Sequence, residues 1–123
     1  DYEDAKTHLQ LANDRNPDTP TTLNNLAWLL AHQDQPQLDR ALQLAKVARA
    51  LSNRPEICDT VGTILARMGR HREAIKEFET ALRGLARNPE LHSKLADSYQ
   101  ELGEPELARV HRQLAERNSS EPH

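Results

Sequence analysis

A set of small and rigid residues returns along this chain at an interval of 34 positions. Pro55 recurs as Pro89, Gly62 as Ala96, Gly69 as Gly103, Ala74 as Ala108 and Ala81 as Ala115. An ordinary amphipathic helical bundle repeats a face every ~3.6 residues, but has no reason to repeat the same small side chains at one fixed long interval. Self-similarity at this period implies a helical solenoid, in which each repeat buries its apolar face by stacking on its neighbours. A solenoid holds out an extended surface, so the same feature points toward binding.

Turn signals divide the chain at about half that interval. Pro20, Pro55 and Pro89 each stand just inside the start of an amphipathic stretch, where a missing N–H costs nothing. Thr19 is the expected N-cap of the first stretch and Asn88 of the third. Gly69 and Gly103 fall where a first helix should end in a left-handed residue. Pro36 and Pro105 fall near the starts of second helices. The expected fold is all-α, an α-α superhelix of about seven antiparallel helices. One helix at 2–14 precedes three pairs, 20–32 with 37–51, 55–68 with 71–86, and 89–102 with 104–118, and residues 119–123 read as a disordered tail.

These residues resemble the tetratricopeptide repeat. That family places small residues at the eighth position of the first helix, here Ala27, Gly62 and Ala96. It places alanine at the twentieth and twenty-seventh positions, matched by Ala41 and Ala48, Ala74 and Ala81, and Ala108 and Ala115. Leu26, Val61 and Leu95 occupy the large apolar seventh position, Leu30, Leu65 and Tyr99 the eleventh, and Phe78 the twenty-fourth of the second full repeat. Ala5, Ala12 and Pro17 fit the closing half of an earlier repeat. The resemblance implies an array over 1–118: a truncated repeat at 1–19, repeats at 20–54 and 55–88, and a third with its capping helix at 89–118. Paired helices cross closely only where side chains are small, with larger residues filling the grooves alongside. The first full repeat departs from the pattern with 35 residues and a longer turn at His32–Gln37, a variant similar to one common in large bacterial multidomain proteins. Arg112 departs too, standing at the apolar twenty-fourth position of the last repeat.

Composition narrows the function classes. Aromatics are 3% of the chain, so aliphatic residues and alanine must supply the core. The net charge of -3 gives no basic stripe for nucleic acid, and no apolar run reaches the ~18 residues of a membrane span. Cys58 is the lone cysteine, so no internal disulfide is available; this slightly favours the cytoplasm and is compatible with the periplasm. The chain starts at Asp1 and reads as a C-terminal piece of a longer protein. Helix 37–51 is apolar nearly all round, whereas 104–118 keeps one stripe (Leu107, Val110 or His111, and Leu114) under a polar face, as a terminal cap requires. Helix 2–14 would expose Leu9 or Leu11 and could drive homodimerisation.

No catalytic pattern emerges. Gly62, Gly69, Gly84 and Gly103 build no phosphate-cradling loop, and no serine sits in a nucleophile elbow. Cys58 and His92 fall at the packed fourth position of their helices, and the six histidines form no metal-binding pair on one helix face. Glu77 and Glu79 read as members of a solvated face. No enzyme activity, cofactor or metal is expected.

The resemblance also implies a partner surface, because first helices line the concave face of such arrays. The candidate binding residues are Asn24, Trp28, His32, Glu56, Asp59, Thr63, Arg67, Ser93, Asp97 and Glu101. With Glu90, the acidic members outnumber Arg67, so the groove should favour a basic or neutral protein or peptide. Trp28 either stands in the groove as an anchor or packs beneath the turn at 32–37, and the packed placement is the favoured expectation. The family's carboxylate clamp is not matched, since Asp97 would repel a terminal carboxylate; Asn25, Thr60 and Lys94 likewise form no asparagine ladder. The leading expectation is a protein-protein interaction scaffold. The alternatives are an accessory module presenting substrate to an enzyme of glycosyltransferase, sulfatase or kinase type, and a self-assembly module.

Overall fold

The structure, a computed structural model, describes residues 18–120. The expected helix at 2–14, with Leu9 and Leu11, lies outside the described residues. Within them the chain forms six α-helices: α1 (Thr19–His32), α2 (Leu38–Leu51), α3 (Pro55–Arg67), α4 (His71–Leu82), α5 (Pro89–Glu101) and α6 (Pro105–Ser120). Each odd-numbered helix packs on the one after it, and the three hairpins so formed stack in chain order.

Local chemistry sets the helix ends. Gly69 and Gly103 close the first helices of their pairs with φ of 80° and 75°, a conformation that residues bearing a Cβ rarely adopt. The Asn88 side chain accepts the Leu91 N–H at 3.0 Å and so caps α5. At α1 the cap is Asp18 rather than Thr19: its carboxylate accepts from the Thr21 N–H and, at 2.9 Å, from the Thr21 hydroxyl. The Arg54 guanidinium on that carboxylate holds Asp18 below the usual carboxylate range, with the Thr21 hydroxyl as the second cause. A hydroxyl could cap here, but a carboxylate one residue earlier meets the same amide and favours the positive end of the helix dipole. Two ends differ from expectation: α4 stops at Leu82 rather than 86, and α6 runs on to Ser120, so residues 119–120 are helical rather than tail.

The core follows the small-residue pattern. Ala27, Ala41, Ala48, Ala74, Ala81, Ala96, Ala108 and Ala115 are all buried, most of them completely. Gly62 marks the tightest crossing, since a Cβ there would lie 2.6 Å from the Phe78 ring. The ring and the missing side chain fill one volume, so each residue dictates the other. Cys58 is fully buried, and desolvation pushes its thiol up, which keeps it unreactive. Glu79 is exposed and Glu77 partly so, and both have partners: Arg49 bonds Glu77 at 3.0 Å, and the Tyr99 hydroxyl donates to Glu79 at 2.7 Å.

Candidate functional site: the groove between the last two hairpins

Successive first helices in a stacked array leave a furrow between their exposed faces. Between α3 and α5 this furrow opens into a groove of about 610 Å³. Thr63, Ala66 and Arg67 form one wall, Lys94, Asp97, Gln100 and Glu101 the other, and Phe78 with His71 lies at its base. Four of the expected residues, Thr63, Arg67, Asp97 and Glu101, therefore meet in one place. They lie about a turn apart on each helix, so they share one face of it.

The charges of this groove are more balanced than the sequence suggests. Lys94 pairs with Asp59 at 2.8 Å, across the two first helices. Arg112 reaches from α6 to Asp97 at 3.3 Å. Arg67 donates from Nη1 to the carbonyl of Ala31, tying the end of α3 to the end of α1. The Thr63 hydroxyl bonds Asp59 at 3.4 Å, and His71 Nδ1 lies 3.1 Å from the Ser98 hydroxyl. The expected acidic surface is thus partly cancelled by Lys94 and Arg112. Sequence reasoning missed these two because it considered only positions carried over from the family. The available signal was charge complementarity between residues 35 and 15 positions apart.

The remaining candidates divide by exposure. Glu56, Ser93, Asp97 and Glu101 are exposed. Asn24 is buried instead: its Oδ1 has no hydrogen-bond partner among the described residues, and a partner cannot reach it without rearrangement. Trp28 is half exposed rather than packed beneath the 32–37 turn. It stacks on His32 with centroids 4.1 Å apart, and His32 Nδ1 bonds the Trp28 carbonyl at 2.8 Å. The turn cannot shelter the indole because it is occupied by its own closure, in which the Gln37 N–H bonds the Leu30 carbonyl.

Among the described residues no group of three or more His, Cys, Asp or Glu side chains could hold a metal ion. No described helix is long and apolar enough to cross a membrane.

The tetratricopeptide-repeat family model matches residues 55–83, the α3–α4 hairpin and its turns. No curated protein matches the chain. The fold is similar to that of solved MamA structures. One crystal structure of MamA has a TM-score of 0.81 at 17% identity, covering 96% of this chain and 68% of that one. The MamA MSR-1 structure in form C2 has a TM-score of 0.76 at 22% identity, covering 96% and 67%. A MamA point mutant has a TM-score of 0.72 at 27% identity, covering 96% and 97%. The chain spans about two thirds of the length of most of these MamA chains. The repeated small residues, the crossing they permit and the matched hairpin agree: residues 55–83 match the tetratricopeptide repeat, within a fold similar to that of MamA.

Proposed function

We propose that the chain is a protein-interaction scaffold that holds an extended segment of a partner in the groove between α3 and α5. The observation carrying this reading is the groove itself, which is open and long enough for several peptide residues and is walled by side chains from two adjacent repeats. Thr63 and Gln100 can serve a partner's main chain, which every extended segment offers regardless of sequence. Pairing of Asp59 with Lys94 and of Asp97 with Arg112 leaves Arg67 on one wall and Glu101 on the other as the groove charges outside those two ion pairs. That polarity suits a segment of low net charge and sets its direction more than its affinity. Trp28, further along the first helices, is an aromatic surface for an apolar residue of the same segment.

The test is selection from a random-peptide display library on the wild-type protein, with affinities then measured on variants. Selected peptides should lose at least about tenfold in Kd on Thr63→Arg combined with Glu101→Arg, a change of ~1.4 kcal/mol. They should bind Lys76→Glu, on an exposed face of α4, unchanged. Equal losses on both variants would move the site away from the groove.

A second reading, self-assembly through the first described helix, draws on Leu29. It is 38% exposed, whereas Ile64 and Ser98 at the same repeat position are 0% and 1% exposed. A mass that rises with concentration in wild type and not in Leu29→Glu would support it; a constant monomer mass would end it.

A further inference from the structure

His92 and His111 meet edge to edge in the last hairpin, with their Nδ1 atoms 2.9 Å apart and their ring planes within 23° of each other. His92 is buried, and its Nε2 lies 2.8 Å from the Ala86 carbonyl. A carbonyl oxygen can only accept, so Nε2 carries a proton and donates it. In neutral His92 the facing Nδ1 is then a lone pair. His111 must therefore donate from its own Nδ1–H, which leaves its Nε2 unprotonated in the neutral pair. Two nitrogens sharing a metal at ~2.0–2.1 Å in tetrahedral geometry would stand more than ~3 Å apart, so 2.9 Å is the distance of a shared proton.

The arrangement limits how many protons the two rings can hold. Four ring nitrogens are present, and three can carry hydrogen while the contact survives. The fourth would set one N–H against another across 2.9 Å. We propose that His92 and His111 form a proton-counting clasp that seats α6 on α5 at neutral pH and releases it on acidification, when a fourth proton would set one N–H against the other.

The surroundings support this direction. The groups facing the clasp are Tyr99 from α5 and Glu79 from α4; Tyr99 stacks on His111 with centroids 5.6 Å apart and donates its hydroxyl to Glu79. Burial pushes the Tyr99 hydroxyl up to about 12, with Glu79 as the second cause, so it remains a donor throughout this pH range. Burial, and after it His92, holds His111 below the ordinary imidazole range, while Glu79 opposes weakly. A base whose folded value is depressed stabilises the fold fully above its unfolded value, near ~6.5, and loses that stability as pH falls below it. Both effects thus weaken the hairpin on acidification.

The clasp also touches the groove. Arg112 follows His111 on α6 and pairs with Asp97 on the groove wall, so unseating α6 removes that pair and one side of the site. This consequence for a partner rests on the groove reading; the clasp itself does not.

The experiment uses the protein without a partner. Long-range proton–nitrogen NMR at about pH 8 should show His92 as the Nε2–H tautomer and His111 as the Nδ1–H tautomer. Amide protection factors of Ala108 and Ala115 in α6 should fall about tenfold or more, relative to α3, between about pH 7.5 and pH 5. His111→Gln, which still offers an N–H but does not titrate, should lose this pH dependence. His111→Phe, which keeps the stack on Tyr99 without a donor, should be less protected than wild type at about pH 7.5. An Nδ1–H tautomer at His92, or a wild-type fall that persists in His111→Gln, would overturn the proposal. If the groove also binds the display-selected peptides, their affinity should weaken over the same pH interval in wild type alone; loss of that effect with the NMR result intact would count against the groove and spare the clasp.

Discussion

The second and third hairpins share one backbone plan and fill its central position in opposite ways. In the second, Gly62 at the eighth position opens a gap that the Phe78 ring fills, and Phe78 is 1% exposed. In the third, Ala96 closes the gap, and Arg112 at the position of Phe78 turns outward to Asp97. The helices bracketing these positions follow suit. Seven residues of α3 are buried, whereas α6 buries only Ala108 and Ala115 among its described side chains. The expected inward stripe on α6 is also rotated: His111 and Leu114 are half-buried, while Leu107 and Val110 are 42% and 48% exposed. A comparable correction applies to α2, where Val47 and Leu51 are 50% and 57% exposed although the helix reads as apolar nearly all round. One repeat plan therefore yields a hairpin whose crossing is filled by a ring and another whose matched position carries an ion pair that water can reach.

Substitutions at the matched positions should separate the two hairpins. The largest effect is expected from Phe78→Ala, which empties the crossing and should cost about 3–5 kcal/mol in denaturant unfolding. A loss below about 1 kcal/mol would mean that the ring is not what holds the second hairpin. Next, Gly62→Leu should overpack the same crossing and cost about 1–3 kcal/mol, relieved in part when combined with Phe78→Ala; an additive cycle would break the claim that the two residues share one volume. Asn88→Ala removes the side-chain cap of α5 and should cost about 1 kcal/mol, read as a lower melting temperature. The smallest change belongs to Arg112→Ala. Its ion pair is solvent-exposed on both sides, so a loss of at most about 1 kcal/mol is expected, and a larger one would show that the third hairpin leans on this contact as the second leans on its ring.

Much of this was legible in the amino-acid order, and what was not has a common cause. The two left-handed glycines, the Asn88 cap, the buried alanines and the packed Cys58 and His92 all follow from local rules of helix ends and helix faces. Thr63, Arg67, Asp97 and Glu101, expected from the concave positions of the repeat the chain resembles, line one groove. The misplaced residues depend on how far a helix is rotated against its neighbour. Trp28 and Asn24 lie close together on α1, yet the indole faces solvent and the amide is buried. The edge of the core passes between them, and no local signal sets how far α1 is rotated against its neighbours.

The period of small residues, by itself, determined that this chain is a stack of helical hairpins, because close crossings tolerate nothing larger and recur where those residues do. The tertiary structure alone decided the character of the groove and of the clasp. Lys94 meets Asp59, Arg112 meets Asp97 and His92 meets His111 only after the hairpins have closed and stacked, and whether an ionisable side chain is cancelled, free or made to share a proton is settled by that final approach over a few ångströms.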